Sequence, residues 1–470
     1  MANKLPLLGD DFEIWGHWWL PNDPGHKIAG KLSSRFGRLE LKLIQPLPSI
    51  NPHDHDLPIP VIHGVGDTKL FTLWDSVQTG FAIEAPGTTQ PIIRHMRVLV
   101  GGHLGARSET TFSGFSLYGA NIGPWSGIKG VGQHITIPDD KPAIIEYRMS
   151  EDRSQEVELS QAGLHMTISQ SWESKDEEFR SYGFNMFPAI QVKCVGGASF
   201  QKIRGLWESL SNFISLVTGR EFVTERITLE MNNGKSHDDT FELRVGHPPP
   251  EEDRMFKAWE VLAPLGGFGD QVVQIFEQWF SNSSDVRDSI DLLIGNLRRR
   301  ELPLHVQIST LCQALESFHR TTVSGGYISK KEYKPINSAL MTVIPKDIDE
   351  DLQKAIGDRL RYAYEYSLRT RLGQLVDQLE EDNLVQLGIE KEAFVSDVCK
   401  ARNDFTHWDG TGSEDDDSEA RLLNLSSKLK LFTQIILLKY FGIDEKLVVC
   451  RAMENRHIHF PEWESIPVEE

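Results

Sequence analysis

Three consecutive prolines, Pro248-Pro249-Pro250, followed at once by Glu251-Glu252-Asp253, separate two stretches of chain with different periodicities. Proline lacks an amide donor and fixes its own φ, so neither a helix nor a central strand continues through this point. Ahead of it the apolar residues alternate, as in Leu39-Glu-Leu-Lys-Leu, Ile145-Glu-Tyr-Arg-Met and Leu164-His-Met-Thr-Ile-Ser, and Gly and Pro clusters interrupt the runs. Period-two alternation with frequent turns predicts many short strands in a sandwich or a strongly twisted barrel. One helix is expected within this half. Ile203, Leu206, Trp207, Leu210, Phe213, Ile214 and Val217 recur at helical spacing over about 201–218, and Gly219 stands where a C-terminal cap belongs. A last strand pair is expected at about 221–231 and 239–245.

Beyond the prolines the apolar period becomes that of a helix. Candidates cover 272–280, 286–297 and 306–320, the last with Ile308, Leu311, Cys312, Leu315 and Phe318 on one face. A loop region is expected from Ser324 to Lys346. One long helix follows over about 349–381, with Leu352, Ile356, Leu360, Leu368, Leu372, Leu375 and Leu379 as its stripe. Two more helices are expected, one from about 391 to the Arg402 region and one over about 419–441. Amphipathic helices joined by short links make a bundle. The fold class read from this pattern is α+β: a β-rich domain over 1–246, a linker over 247–265, an all-α bundle over 266–445 and a tail over 446–470. No run approaches the length of a membrane span, and the first residues carry no signal-peptide stretch.

The chemistry concentrates at Ala401-Arg402-Asn403-Asp404-Phe405-Thr406-His407-Trp408, where an arginine and a histidine lie five residues apart at the end of an expected helix. An imidazole gives or takes a proton near neutral pH, and a permanently charged guanidinium holds the oxygens of a phosphate that gains charge in a transition state. The pair suits RNA phosphodiester cleavage without a metal or other cofactor. With 16 histidines in 470 residues, about one accidental match to this spacing is expected. The chain contains a second, Arg300 to His305, but Pro303 breaks any helix through it. The Arg402 match differs in context: Asn403 follows the arginine, an amphipathic run precedes it, and a polar loop and a long apolar helix come after.

On these residues the C-terminal half resembles a HEPN domain, whose signature of arginine, a polar residue, three more residues and histidine maps onto Arg402, Asn403 and His407. With the β-rich first half, the whole chain resembles the ApeA-like group of bacterial anti-phage HEPN proteins; Thr218-Gly219-Arg220 after the helix agrees with it. The resemblance implies a homodimer or higher homo-oligomer formed through the HEPN domain, with two copies of the motif facing one cleft. It implies an endoribonuclease of abortive-infection type, held in check until a phage-derived trigger arrives. In that scheme the ribose 2′-hydroxyl attacks the phosphorus, His407 is general acid or base, and Arg402 stabilises the phosphorane. RNA is the expected partner, with transfer RNA as one candidate, and the β-domain a sensor or substrate-positioning module.

Other residues have assignable roles around that core. Asn403 can bind the phosphate, hold the His407 tautomer or cap the helix, while Asp404 is a weaker candidate to polarise the imidazole. Glu316 and His319, three apart on one helix, can orient Arg402 or form an interhelical pair. Trp408 stacks on a base or packs behind His407. A formal net charge of −19 excludes broad coating of nucleic acid, so positive charge must be concentrated locally. Arg298, Arg299 and Arg300 are candidates, as are Arg359, Arg361, Arg369 and Arg371; Arg359 and Arg361 are the ones assigned to RNA. Trp15, Trp18 and Trp19 form either a stacking platform or core. His53-Asp54-His55 and His457-Ile458-His459 have metal-compatible spacing but no further ligands, so no metal is assigned. Cys194, Cys312, Cys399 and Cys450 are scattered singly, which fits free thiols, buried for Cys312 and Cys399, in a reducing cytoplasm. Two other classes fit the same residues: a non-catalytic HEPN scaffold, and a ligand-binding β-domain with a helical dimeriser. The acidic loop that begins at Asp409 makes a further expectation testable. If it screens the cleft from RNA, deleting residues 413–418 raises cleavage without an activator; unchanged cleavage removes the gate.

Overall fold

The computed structural model describes residues 8, 10–48, 50–51, 56–84, 88–94, 97–136, 144–150, 154–177, 181–234, 238–246, 257–298, 302–323, 325–406 and 416–455. Two compact units divide the chain. The first comprises Met1–Ile214, Phe222–Ala258 and Pro264–Val273, the second Ser215–Glu221, Trp259–Ala263 and Gln274–Glu470.

The alternating sequences of the first unit become β1 (Phe12–Trp19), β2 (Ile28–Arg35), β3 (Arg38–Leu43), β4 (Leu57–Gly66), β5 (Lys69–Glu84) and β6 (Thr88–Arg94), antiparallel in the order β5-β4-β1-β2-β3-β6. The 16-residue β5 pairs with β4 through its first half and with β6 through its second, while β6 also pairs with β3. The six strands therefore close on themselves, which leaves this barrel no unpaired edge. Alternate residues point inward, and Ile14, Trp18, Leu32, Leu41, Ile62, Phe71 and Leu73 fill the interior. The indole of Trp18 packs 5.7 Å from the Phe71 ring and donates its N–H to the Gly30 carbonyl at 3.2 Å. Gly64 makes room for that indole, since a Cβ there would stand 2.2 Å from Trp18 Cε3.

Through β5 the barrel continues into an open antiparallel extension. Its strands are β7 (Arg97–Val100), β8 (Thr111–Tyr118), β11 (Ser154–Leu159), β12 (Leu164–Glu177), β13 (Ser181–Ser199), β14 (Arg226–Met231) and β15 (Asp239–Val245). They run β7-β15-β14-β8-β13-β12-β11, with a separate hairpin of β9 (Val131–Thr136) and β10 (Ile144–Met149) and a five-residue helix α1 (Ile122–Ser126). The expected helix is α2 (Phe200–Thr218), and Gly219 follows it with φ +72. Its Phe200 ring meets Trp74 at 5.6 Å and Phe112 at 6.4 Å, both near edge-on. The three N-terminal tryptophans do not form one platform: Trp18 and Trp19 are buried, and only Trp15, 65% exposed, faces solvent. Alternation decides this, because Trp18 falls on the barrel's inner face and Trp15 on its outer one, while Lys27, His63 and His103 surround Trp19.

The second unit holds α3 (Val272–Asn282), α4 (Arg287–Arg298), α5 (Leu304–Thr322), α6 (Lys330–Thr342), α7 (Glu350–Leu360), α8 (Leu368–Val376), α9 (Glu381–Gln386), α10 (Lys391–Thr406), α11 (Asp416–Tyr440) and α12 (Glu445–Glu454). α5 packs against α4, α8, α10 and α11. Leu431, Phe432, Ile435, Ile436, Leu437 and Leu438 of α11 are all buried, so the stretch 431–438 of that helix is enclosed on every side. Residues 215–221 and 259–263 bind each other through the Ala263 N–H, which donates to the Val217 carbonyl at 2.9 Å, and an Arg220–Glu260 ion pair of 3.2 Å, and Arg451 of α12 donates to the Val261 carbonyl at 3.4 Å. Three expectations are corrected here. The loop region over 324–346 contains α6, started by a capping box in which Ser329 and Glu332 satisfy each other's amides. The long helix over 349–381 is two helices, α7 and α8, because the chain turns at 361–366 and Ser367 caps a new start by accepting from the Thr370 amide. The tail from 446 forms α12, capped by Asp444. The proline-rich boundary at 247–253 lies outside the described residues.

Among the described residues no helix is long and apolar enough to cross a membrane. Trp18→Ala is expected to cost about 3–5 kcal/mol through the cavity it leaves, and Gly64→Ala about 1–3 kcal/mol through overpacking. Urea unfolding followed on the barrel measures both, and losses well below these values would show that the indole does not hold the barrel together.

Candidate functional site

Arg402 lies in the last turn and a half of α10, half-buried, with α5 and α8 packed against its helix. Its Nη1 donates to Asn403 Oδ1 at 3.2 Å. Asn403 and Asp404 are exposed, and because α10 runs on to Thr406, Asn403 is not the C-cap. His407 and Trp408 lie outside the described residues, as does the acidic loop to residue 415.

Two thiols beneath the motif register the charges around it. Cys312 on α5 is buried, which pushes its thiol up to about 12; neighbouring Cys399 and Glu316 push the same way, and Arg402 opposes them. Burial also raises Cys399 on α10, against the pull of Arg369 and Arg402. The structure thus gathers Arg402, Arg369 and Glu316 from three helices around one pair of inert thiols. Arg369 is exposed and Glu316 half-buried. Arg359 and Arg361 belong instead to the α6–α7 pair; both are exposed, and Arg361 is bound to Asp358 at 3.0 Å. Arg298 pairs with Glu221 at 3.2 Å, while Arg299 and Arg300 lie outside the described residues. His53-Asp54-His55 and His457-Ile458-His459 lie outside them too. Of the four free cysteines, Cys450 is exposed and the other three are buried.

Glu316 and His319 do not form the pair their spacing allows. His319 is fully buried, and Arg371 Nη1 donates to its Nδ1 at 3.1 Å. Because Nδ1 must then accept, Nε2 carries the proton and donates to Gln374 Oε1 at 2.7 Å, so the ring is neutral. Arg371 is 1% exposed rather than part of a basic surface. Its Nε donates to the Tyr366 carbonyl at 3.0 Å, its Nη2 to the Gly325 carbonyl at 3.3 Å, and Glu365 stands 3.6 Å away. A buried charge is tolerable when its donors are all used. This cluster pins the end of α5 to the start of α8, one turn from Arg369. A charged residue between Leu368 and Leu372 on an otherwise apolar stripe is the signal that could have revealed it.

A closed barrel with a sheet extension, followed by a helical bundle whose α10 carries the arginine of an Arg-x-x-x-x-His sequence, defines a class. Residues 309–447 match the family described as Apea-like HEPN, and the second unit is a HEPN domain. Residues 13–279, more than half of the chain, match ApeA N-terminal domain 1, and the chain belongs to the ApeA family. No match was found among curated proteins or among solved structures. Membership supports a nuclease role in defence and RNase activity in general.

Burial and the neighbouring Arg371 hold the His319 imidazole below its ordinary value. The unfolded chain therefore takes up this proton first, so the stabilisation is complete above the unfolded value of about 6.5 and is lost as pH falls toward the lower folded value. The bundle is expected to lose stability from pH 7 to 5 more steeply in the wild type than in His319→Gln; equal slopes in thermal melts would exclude the neutral-ring assignment.

Proposed function

We propose that the chain is a metal-independent endoribonuclease in which Arg402 and His407 act on a ribose-phosphate link. The observation that carries this reading is Arg402 itself, half-buried near the end of α10 with its guanidinium bonded to Asn403 Oδ1, while Arg369 on α8 acts on the same Cys399 thiol, in a chain whose total charge is far from cationic. A half-buried guanidinium interacts more strongly with a developing phosphorane than one in bulk water. Arg402 would stabilise the equatorial oxygens while His407 removes the proton from the 2′-hydroxyl or protonates the leaving 5′-oxygen. Arg369 would hold a flanking phosphate. Asn403, by accepting from Arg402, presents that guanidinium in one orientation, and Glu316 is a positioning residue behind it. Products are then a 2′,3′-cyclic phosphate and a 5′-hydroxyl, and DNA is not cut. Two copies of the chain would bring two motifs to one cleft. RNA with unstacked loops, transfer RNA included, suits such a cleft because a splayed base exposes its phosphate. Defence against phage, by damaging the host's own RNA on a phage-derived trigger, is the biological setting this reading fits.

Incubating the protein with total RNA in EDTA, with and without phage lysate, tests it. Cleavage is expected to persist under chelation, to fall by about 10²–10⁴ in His407→Ala, and to fall by about 10²–10³ in Arg402→Ala. Arg369→Ala is expected to raise KM more than it lowers kcat. Cleavage that survives His407→Ala, or ends that carry a 5′-phosphate, would rule the mechanism out.

A further inference from the structure

Among the described residues of the second unit, exposed apolar side chains gather on the α6–α7 helical hairpin. α7 has no buried residue, and α6 buries only Tyr333. Yet Ile336, Leu340, Met341, Val343 and Leu352 are 47, 37, 42, 74 and 51% exposed. An amphipathic helix is held in place by burying its stripe, and an apolar patch of this kind in water marks a contact surface.

The hairpin is not a loose excursion. At its base the Tyr327 N–H donates to the Tyr364 carbonyl at 2.8 Å, Gly326 and Glu365 form a β-bridge, and Tyr333 Oη donates to the Leu360 carbonyl at 2.7 Å. The buried Arg371 guanidinium grips the carbonyls of Gly325 and Tyr366 on either side of that base. Both helices also carry their own N-terminal caps, at Ser329 and at Asp349. The chain has thus built a well-braced projection and left its apolar side uncovered.

Charge along the hairpin says what covers it. At the base, Lys330, Lys331, Lys334 and Arg359 outnumber Glu332, and Arg361 is matched by Asp358. At the tip, Asp347, Asp349, Glu350 and Asp351 outnumber Lys346 and Lys354. A hairpin that is basic at one end, acidic at the other and apolar between is complementary to itself turned end for end. A two-fold axis demands that whatever the first copy's tip meets on the second, the second's tip meets on the first. Nucleic acid would suit the base but would be repelled by the tip.

We propose that the α6–α7 hairpins of two copies of this chain pack antiparallel, each acidic tip on the other's basic base, with Leu340 and Leu352 in the seam between. This deepens the proposed pairing of two copies by naming a surface for it, and in that respect alone it rests on the nuclease reading, because association is measured without RNA.

The test is sedimentation velocity of the full chain. Wild type is expected to dimerise, and Leu340→Glu with Leu352→Glu to weaken dimerisation at least about ten-fold. Circular dichroism should be unchanged, and so should the melting temperature of samples dilute enough for wild type to be monomeric, since both leucines are already partly exposed in the single chain. Lys331→Glu with Lys334→Glu makes both ends acidic, and Asp347→Lys with Glu350→Lys makes both ends basic. Each double variant alone should associate at least about ten-fold more weakly, and an equimolar mixture of the two should regain wild-type association. A monomeric wild type would overturn the proposal, as would a dimer indifferent to the leucine changes or a mixture that fails to recover. A monomer that cleaves RNA would sink the hairpin contact alone, and a hairpin-dependent dimer that never cleaves would sink the nuclease alone.

Discussion

Much of the second unit's geometry converges on the buried guanidinium of Arg371. Placing an unpaired cation in a protein interior costs several kcal/mol, so a chain that does so must supply acceptors from every side. Here they come from four places: the carbonyls of Gly325 and Tyr366, the ring of His319 and the carboxylate of Glu365. Those four groups belong to the end of α5 and to the two chain segments that flank α6 and α7. One side chain therefore sets where α8 begins, which way the hairpin leaves the bundle and where Arg369 stands relative to Arg402. His319 must be neutral for this to hold, because a protonated Nδ1 would face an arginine donor.

The two units manage exposed bonding surface in opposite ways. In the first, β5 is long enough to pair with β4, β6 and β7, and the barrel strands are left with no open edge. Its interior is sealed by the indole of Trp18 over a glycine. In the second, residues 431–438 of α11 are enclosed on all sides, while apolar side chains of α6 and α7 stay exposed. A sheet that closes on itself satisfies its own hydrogen bonds, whereas a helix satisfies its backbone without help and can carry an apolar stripe to another chain.

The net charge of −19 is compatible with the proposed phosphate-handling site because positive charge can be concentrated locally. Arg402 and Arg369 are felt together at Cys399, and Glu316 tempers them from α5. Their arrangement depends on α5, α8 and α10 packing mutually, and so on apolar contacts beneath the charged surface. Cys312 and Cys399 fill that space as small, inert groups, their thiols held protonated by burial.

Much of this was legible in the amino-acid order. The change of period at the triple proline, α2 with its Gly219 cap, and the helices α3, α4, α5, α10 and α11 follow from local spacing, because hydrophobic periodicity is a property of neighbouring residues. The Arg402 motif was visible for the same reason. α6 was hidden by Pro335, although Ser329 and Glu332 announced it, and the break after α7 was hidden because the stripes of two separate helices happen to continue one another. What no local pattern could give is which of three nearby tryptophans is core, that β5 closes a ring, that His319 turns to Arg371 instead of Glu316, and that Arg369 and Arg402 both act on Cys399 while Arg359 stands on the α6–α7 pair. Those outcomes are decided by segments far apart in sequence competing for the same space and the same hydrogen bonds, and only the folded chain settles that competition.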